Sequence, residues 1–203
     1  MYDIIDVGVD DMTVELGFEL DKEIEYYEEM LKEHGCENFW NGEAHDTYYT
    51  TMKLDNMSEN EMKNACIRLR KYRKYKSDEE YNKSFQNLKL LNKKENTLPY
   101  SENILKEIND NGYELIFDTK KTDIHYKIPN CNGDIQLQDV EGIGLLLYYY
   151  NEDYKDLSLQ EQRKLLIDEL NSVGFSFDYN KLGLDKLRTL FYKEKKYSLN
   201  QNA

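Results

Sequence analysis

Arg68-Leu69-Arg70-Lys71-Tyr72-Arg73-Lys74-Tyr75-Lys76, introduced by Ala65-Cys66-Ile67, gathers six of the chain's 27 lysines and arginines into nine residues. The whole sequence, by contrast, carries a formal net charge of -13. Read as a β-strand, period two puts Arg68, Arg70, Lys74 and Lys76 on one face, with Tyr72 among them. A row of guanidinium and ammonium groups on one strand face suits a polyanion such as a chain of phosphates. The same tract also reads as a solvated edge strand, where charge prevents edge-to-edge pairing.

Outside this tract the chain is acidic, so general binding to nucleic acid or an anionic membrane is disfavoured by overall repulsion. Capture of a small anion in a local basic pocket is compatible with that balance. The length, 203 residues, suits one ordinary domain, here expected over 1–197 with a tail at 198–203. Apolar residues are sparse at 39%, but 18 Tyr, 7 Phe and one Trp supply bulk for a core while keeping polar tips wet. Cys36, Cys66 and Cys131 are far apart and odd in number, which implies neither a zinc site nor a disulfide framework. Reduced thiols, no signal peptide and no apolar run of membrane-spanning length together predict a cytoplasmic protein.

Three segments share one grammar: a capped amphipathic helix, a glycine, then an aromatic-bearing strand. The first starts from Asp21 as N-cap and stops at Gly35. The second starts from Ser101 and stops at Gly112. The third has Ser158 with Glu161 three residues on, a capping box, and closes at Gly174. Tyr113–Phe117 and Phe175–Phe177 are expected as the strands after the second and third helices. Further strands are predicted over Met12–Leu20, Thr47–Met52, Ala65–Tyr75, Ser84–Leu91, Ile124–Ile128, Asp134–Val140 and Leu145–Tyr150. Lys93–Pro99 reads as the joint between two similar halves, 12–92 and 100–192. Strands interrupted by single helices indicate an α+β fold. No GxxxxGK[ST] or GxGxxG phosphate cradle is present, and His34, His45 and His125 lack a metal-ligand spacing.

Four segments, in order, resemble the CYTH-domain superfamily, which includes class IV adenylate cyclases, thiamine triphosphatases and inorganic triphosphatases. Asp46-Thr47-Tyr48-Tyr49 is similar to its "DTYF" strand, and Ala65-Cys66-Ile67-Arg68-Leu69-Arg70 to its "ALRIR" strand. Asp139-Val140-Glu141-Gly142-Ile143-Gly144 is similar to its "DeVeGLG" turn. The third helix with Leu187-Arg188-Thr189-Leu190-Phe191-Tyr192 resembles its closing segment. The resemblance implies an eight-stranded antiparallel barrel, the triphosphate tunnel, with three main helices packed outside. It implies inward cations at Arg68, Arg70 and Lys89 on a phosphate ligand, to which the strand face adds Lys74 as a ligand candidate, a divalent Mg or Mn cofactor if the chain is active, and a tendency to form a homodimer.

The departures from the family pattern bear on chemistry. The family's ExExK falls on Thr13-Val14-Glu15-Leu16-Gly17, leaving Glu15 as the one metal-ligand candidate. Its sixth-strand arginine falls on Asp123, its aspartate before "eV" on Gln138, and two glutamates after "GLG" on Tyr148 and Tyr150. Mg²⁺ needs hard carboxylate oxygens, so these changes predict binding with weak or lost turnover. Tyr148 and Tyr150 read as ligand contacts, by stacking or phenol hydrogen bonds, or equally as barrel filler. Three functions remain open. One is a nucleotide- or triphosphate-capturing protein. Another is an active Mg- or Mn-dependent phosphohydrolase or cyclase drawing on Asp139, Glu114 or Glu141. The third is an acidic module for a basic protein partner.

Overall fold

The structure, a computed structural model, describes residues 14–54, 57–58, 61, 66–76, 79–90, 96–98 and 103–177. The chain divides into two compact units, Met1–Gly42 with Lys121–Asp185, and Glu43–Lys120 with Lys186–Ala203. Two long strands, β2 (Glu37–Thr50) and β6 (Glu114–Lys127), contribute residues to both.

In the first unit the strand order is β1-β8-β7-β6-β2, with β1 Leu16–Glu19, β7 Asp134–Val140 and β8 Gly144–Tyr150. The β1–β8, β8–β7 and β7–β6 pairings are antiparallel, with Leu16 opposite Tyr149 and Asp134 opposite both Tyr150 and Lys127. Alternation sorts these strands into two faces. Leu16, Phe18, Ile135, Leu137, Leu147 and Tyr149 pack against α1 (Ile24–Glu33) through Tyr27 and Leu31. They also pack against α3 (Leu159–Ser172) through Leu166 and Leu170. Each such apolar side chain removed from water stabilises by roughly 1.5–3 kcal/mol. The opposite face of β7 and β8 carries Asp134, Gln136, Gln138, Tyr148 and Tyr150, and it holds the polar groups discussed below.

One carboxylate ties α3 to this unit. Glu169 accepts hydrogen bonds from the Tyr149 and Tyr154 hydroxyls, both at 2.6 Å, from the Cys131 thiol at 2.9 Å and from the Asn151 amide at 3.2 Å. Gly133 donates its N–H to Cys131 Sγ at 3.2 Å, and a Cβ there would fall 2.0 Å from the Tyr149 hydroxyl. Cys36 and Cys66 are buried and Cys131 half-buried, all as free thiols.

In the second unit the order is β6-β2-β3-β4-β5, with β3 Cys66–Lys76, β4 Glu79–Leu90 and β5 Asn96–Leu98. Tyr49, Ile67 and Leu69 pack on Ile104 and Ile108 of α2 (Ile104–Asp110). Met57 and Cys66 form a smaller cluster with Met52, Leu54 and Ile116.

The antiparallel strands and the helices among the described residues are α+β, as expected. Closure into a barrel is not among the pairings of the described residues. Gly35, Gly112 and Gly174 end their helices at φ of 74°, 78° and 94°, the left-handed conformation that only glycine adopts cheaply. The Ser158–Glu161 capping box is present in both directions.

Five local expectations change. Asp21 does not cap α1; the N-cap is Glu23, and Asp21 instead accepts the hydroxyl of buried Tyr27 at 2.8 Å. A buried phenol needs an acceptor, and Asp21 is the carboxylate that reaches it. Asn103 is the N-cap of α2, and Ser101 lies outside the described residues. Phe175-Ser176-Phe177 forms no strand, because both rings turn back to stack on Tyr27 and Phe18. Tyr113–Phe117 and Ile124–Ile128 are parts of one strand, and Lys93–Pro99 contributes β5, hydrogen-bonded to β4. Leu187–Tyr192 and Thr13 lie outside the described residues.

Candidate ligand-binding site

Burial of Ile67 and Leu69 against α2 turns Arg68 and Arg70 to the other face of β3, where both are half-buried. The neighbouring strand β2 lines that face with Asp46, Tyr48 and Thr50, all buried. Arg70 and Asp46 make a side-on bidentate pair, Nε to Oδ1 at 2.5 Å and Nη2 to Oδ2 at 2.7 Å. Thr47 Oγ1 donates to the Leu69 carbonyl at 3.1 Å and helps fix the two strands. Burial pushes the Tyr48 phenol well above its ordinary pKa and Asp46 adds to this, while the charges of Arg68 and Arg70 oppose it. Tyr48 also packs on Phe117, with ring centroids 4.7 Å apart. This face can hold an anion beside a guanidinium whose plane is already set.

In the first unit, Lys121, Asp123 and His125 follow one another at period two along β6. Lys121 Nζ lies 2.6 Å from Asp123 Oδ2, and both side chains are almost wholly buried. His125 is clamped between two carboxylates, Nε2 at 3.2 Å from Asp123 Oδ1 and Nδ1 at 3.3 Å from Asp134 Oδ2. Burial alone would lower the imidazole's pKa, but hydrogen bonds and charge from Asp123 and Asp134 more than offset it and raise it to about 9. The charged imidazolium is therefore favoured at neutral pH, Nδ1 donating to Asp134 Oδ2 and Nε2 in ion-pair contact with Asp123 Oδ1. Burial works against ionisation of Asp123 too, yet the His125 hydrogen bond and the Lys121 charge hold it below the usual carboxylate range. The Tyr150 hydroxyl donates to Asp134 Oδ2 at 3.3 Å, and Gln138 Nε2 reaches Asp123 Oδ2 at 3.4 Å. Trp40 packs on the His125 ring at 4.8 Å.

The residues expected from sequence divide between these faces. Arg68 and Arg70 share the β3 face. Lys89 stands at the register position opposite Arg68, and Asn87 opposite Arg70. The register shifts between Tyr72 and Lys74, so the pairing that places the two arginines does not carry through to Lys74. Tyr148 and Tyr150 are half-buried on the polar face of β8, opposite Gln136 and Asp134. Glu15 is exposed, just before β1, and its charge reaches Tyr150. Asp139, Glu114 and Glu141 are exposed as well. Among the described residues no group of three His, Cys, Asp or Glu side chains is placed to hold a metal ion. Sequence reasoning missed Asp46 as the partner of Arg70, and it missed the whole Lys121-Asp123-His125-Asp134 network. The available signal was the period-two spacing of the first three.

No family model matches the sequence, and no curated protein matches it. Solved structures do match. A candidate adenylate cyclase from Vibrio parahaemolyticus superposes with a TM-score of 0.65 at 15% identity, covering 89% of this chain and 97% of its own. A protein from Pyrococcus horikoshii OT3 gives 0.63 at 18% identity, covering 91% and 99%. The chain has a CYTH-like fold. A third relative by fold, a candidate adenylyl cyclase from Hippeastrum with a dominant triphosphatase activity, gives 0.56 at 12% identity over 89% and 95%. At such identities the likeness concerns the CYTH-like fold alone. No helix among the described residues is long and apolar enough to cross a membrane.

Proposed function

We propose that this CYTH-like chain captures an anionic phosphate ligand, a nucleotide or a triphosphate, in the basic interior of an eight-stranded barrel, with weak or absent turnover. The observation that carries the reading is the β3 face, where Arg68 and Arg70 stand two residues apart and Asp46 fixes the guanidinium plane of Arg70. Holding an arginine in advance lowers the ordering cost of binding a tetrahedral anion. Lys89 stands opposite Arg68 in register. Weak turnover follows from the carboxylates: Tyr148 and Tyr150 stand where glutamates would supply metal ligands, and Tyr150 is engaged with Asp134. The metal-dependent alternative, a phosphohydrolase or cyclase, draws support from the cyclase and triphosphatase descriptions of the fold relatives.

Thermal melts with ATP, thiamine triphosphate and tripolyphosphate, each with Mg²⁺ and with EDTA, test this. Ligand at a hundredfold excess over Kd adds about 2.7 kcal/mol, or several degrees for a chain of this size, at roughly 2–4 °C per kcal/mol. A shift that survives EDTA and vanishes in Arg68→Ala/Arg70→Ala supports metal-free capture. A shift and phosphate release that both require Mg²⁺ would favour the enzyme. Unchanged affinity in the double variant would sink the arginine face as the site.

A further inference from the structure

Each arginine of the β3 face has a partner of its own on β2. Asp46 holds Arg70, and the Tyr48 hydroxyl accepts a hydrogen bond from Arg68. The register agrees with both contacts. Asp46 reaches Arg70 and Thr47 reaches Leu69 across the same strand boundary, so residue numbers run in opposite directions and Tyr48 falls opposite Arg68. The accepting phenol is itself held, being buried and packed on Phe117 of β6. A buried phenol oxygen needs a partner, and a guanidinium N–H supplies it. The two partners differ in charge. Asp46 sets the plane of Arg70 and balances its charge, whereas a protonated phenol aims a guanidinium without cancelling the charge.

We propose that Tyr48 is a positioning residue for the anionic ligand: its hydroxyl aims the guanidinium of Arg68 and touches no phosphate itself. Arg68 is half-buried and stays within reach of a ligand, while Tyr48 is buried behind it. Aiming the side chain before the ligand arrives removes part of its rotamer freedom from the cost of binding. The effect on affinity rests on the phosphate reading, and the aiming of Arg68 rests on its contact with Tyr48.

The probe is tripolyphosphate, titrated by calorimetry in EDTA into the full chain and into Tyr48→Phe, which keeps the ring on Phe117 and removes the hydroxyl. Tyr49→Phe, whose ring packs on the opposite face against α2, controls for the loss of a buried hydroxyl. Tyr48→Phe should weaken binding about fivefold, the ratio that one hydrogen bond supplies, and Tyr49→Phe should leave it unchanged. In an Arg68→Ala background the Tyr48 substitution should cost nothing further. Full affinity in Tyr48→Phe, or the same loss with Arg68 already removed, would overturn the proposal. The guanidinium gives a readout that needs no ligand. The Arg68 Nη resonances should be separate in the unaltered protein and averaged in Tyr48→Phe. Averaging in the unaltered protein, or no change on substitution, would overturn the proposal as well. Where Arg68→Ala leaves no binding to compare, these resonances decide, and where Tyr48→Phe does not fold, those of the unaltered protein decide alone. Absence of tripolyphosphate binding to the unaltered protein, with the resonances as expected, would reject the phosphate reading and support the hold of Tyr48 on Arg68.

Discussion

Asp46 and Arg70 meet side-on across β2 and β3, Oδ1 to Nε at 2.5 Å and Oδ2 to Nη2 at 2.7 Å, with the carboxylate wholly buried and the guanidinium largely so. Such a pair gains little over a well-packed apolar substitute, but it is costly to break from one side. Asp46→Ala alone should therefore destabilise by about 3 kcal/mol, because it removes the carboxylate that balances a largely buried guanidinium. Asp46→Leu with Arg70→Met should cost far less than the two single changes added together. Urea denaturation of the four proteins in the cycle measures the coupling. Additive losses would show that the pair is not a unit.

The clamp on His125 predicts a pH profile. Its folded pKa is about 9, raised above the ordinary 6.5, so the stabilisation is fully present below pH 6.5 and is lost as pH rises through 9. Asp123 runs the other way: its depressed pKa contributes above the ordinary carboxylate range and is lost only as pH falls through its own lowered value. Between the two lies a plateau. Chemical denaturation at pH 6.5 and 9.5 should show a fall attributable to His125 on the order of 3 kcal/mol. In His125→Asn that fall should be absent, and an identical slope in both proteins would contradict the clamp.

Gly133 is required for space. Any side chain there would collide with the Tyr149 hydroxyl at 2.0 Å and the ring carbons behind it. Gly133→Ala should therefore push Tyr149 off Glu169 and cost about 1–3 kcal/mol, the usual range for overpacking. Gly133→Ala with Tyr149→Phe should recover part of that loss, since Phe lacks the colliding oxygen. Melting temperatures of Gly133→Ala, Tyr149→Phe and the double variant decide the matter.

The chemistry of single elements was legible where one principle ruled alone. Ser158 and Glu161 could be recognised as a capping box, and Gly35, Gly112 and Gly174 as helix stops, because their physics is local. The face of β3 was legible as well, because Ile67 and Leu69 alternate with Arg68 and Arg70. Long-range partners were not. Nothing near Arg70 in sequence names Asp46, which stands 24 residues away. The segment 118–123 carried no expected element, yet Lys121 and Asp123 neutralise one another there inside a strand. Tyr27 took Asp21 from its expected capping role for a similar reason: a hydroxyl buried by tertiary packing outbid a local backbone preference.

Glu169 has a consequence for how this sequence can change. One carboxylate is the common acceptor for Tyr149, Tyr154, Cys131 and Asn151, drawn from β8, the turn after it and the loop before β7. Each donor is individually replaceable while the others remain. The acceptor is not, since its loss orphans four groups at once. A deep mutational scan should therefore find position 169 intolerant and positions 131, 151 and 154 permissive one at a time but restrictive in combination. Variation around this helix is thus governed by a single shared address.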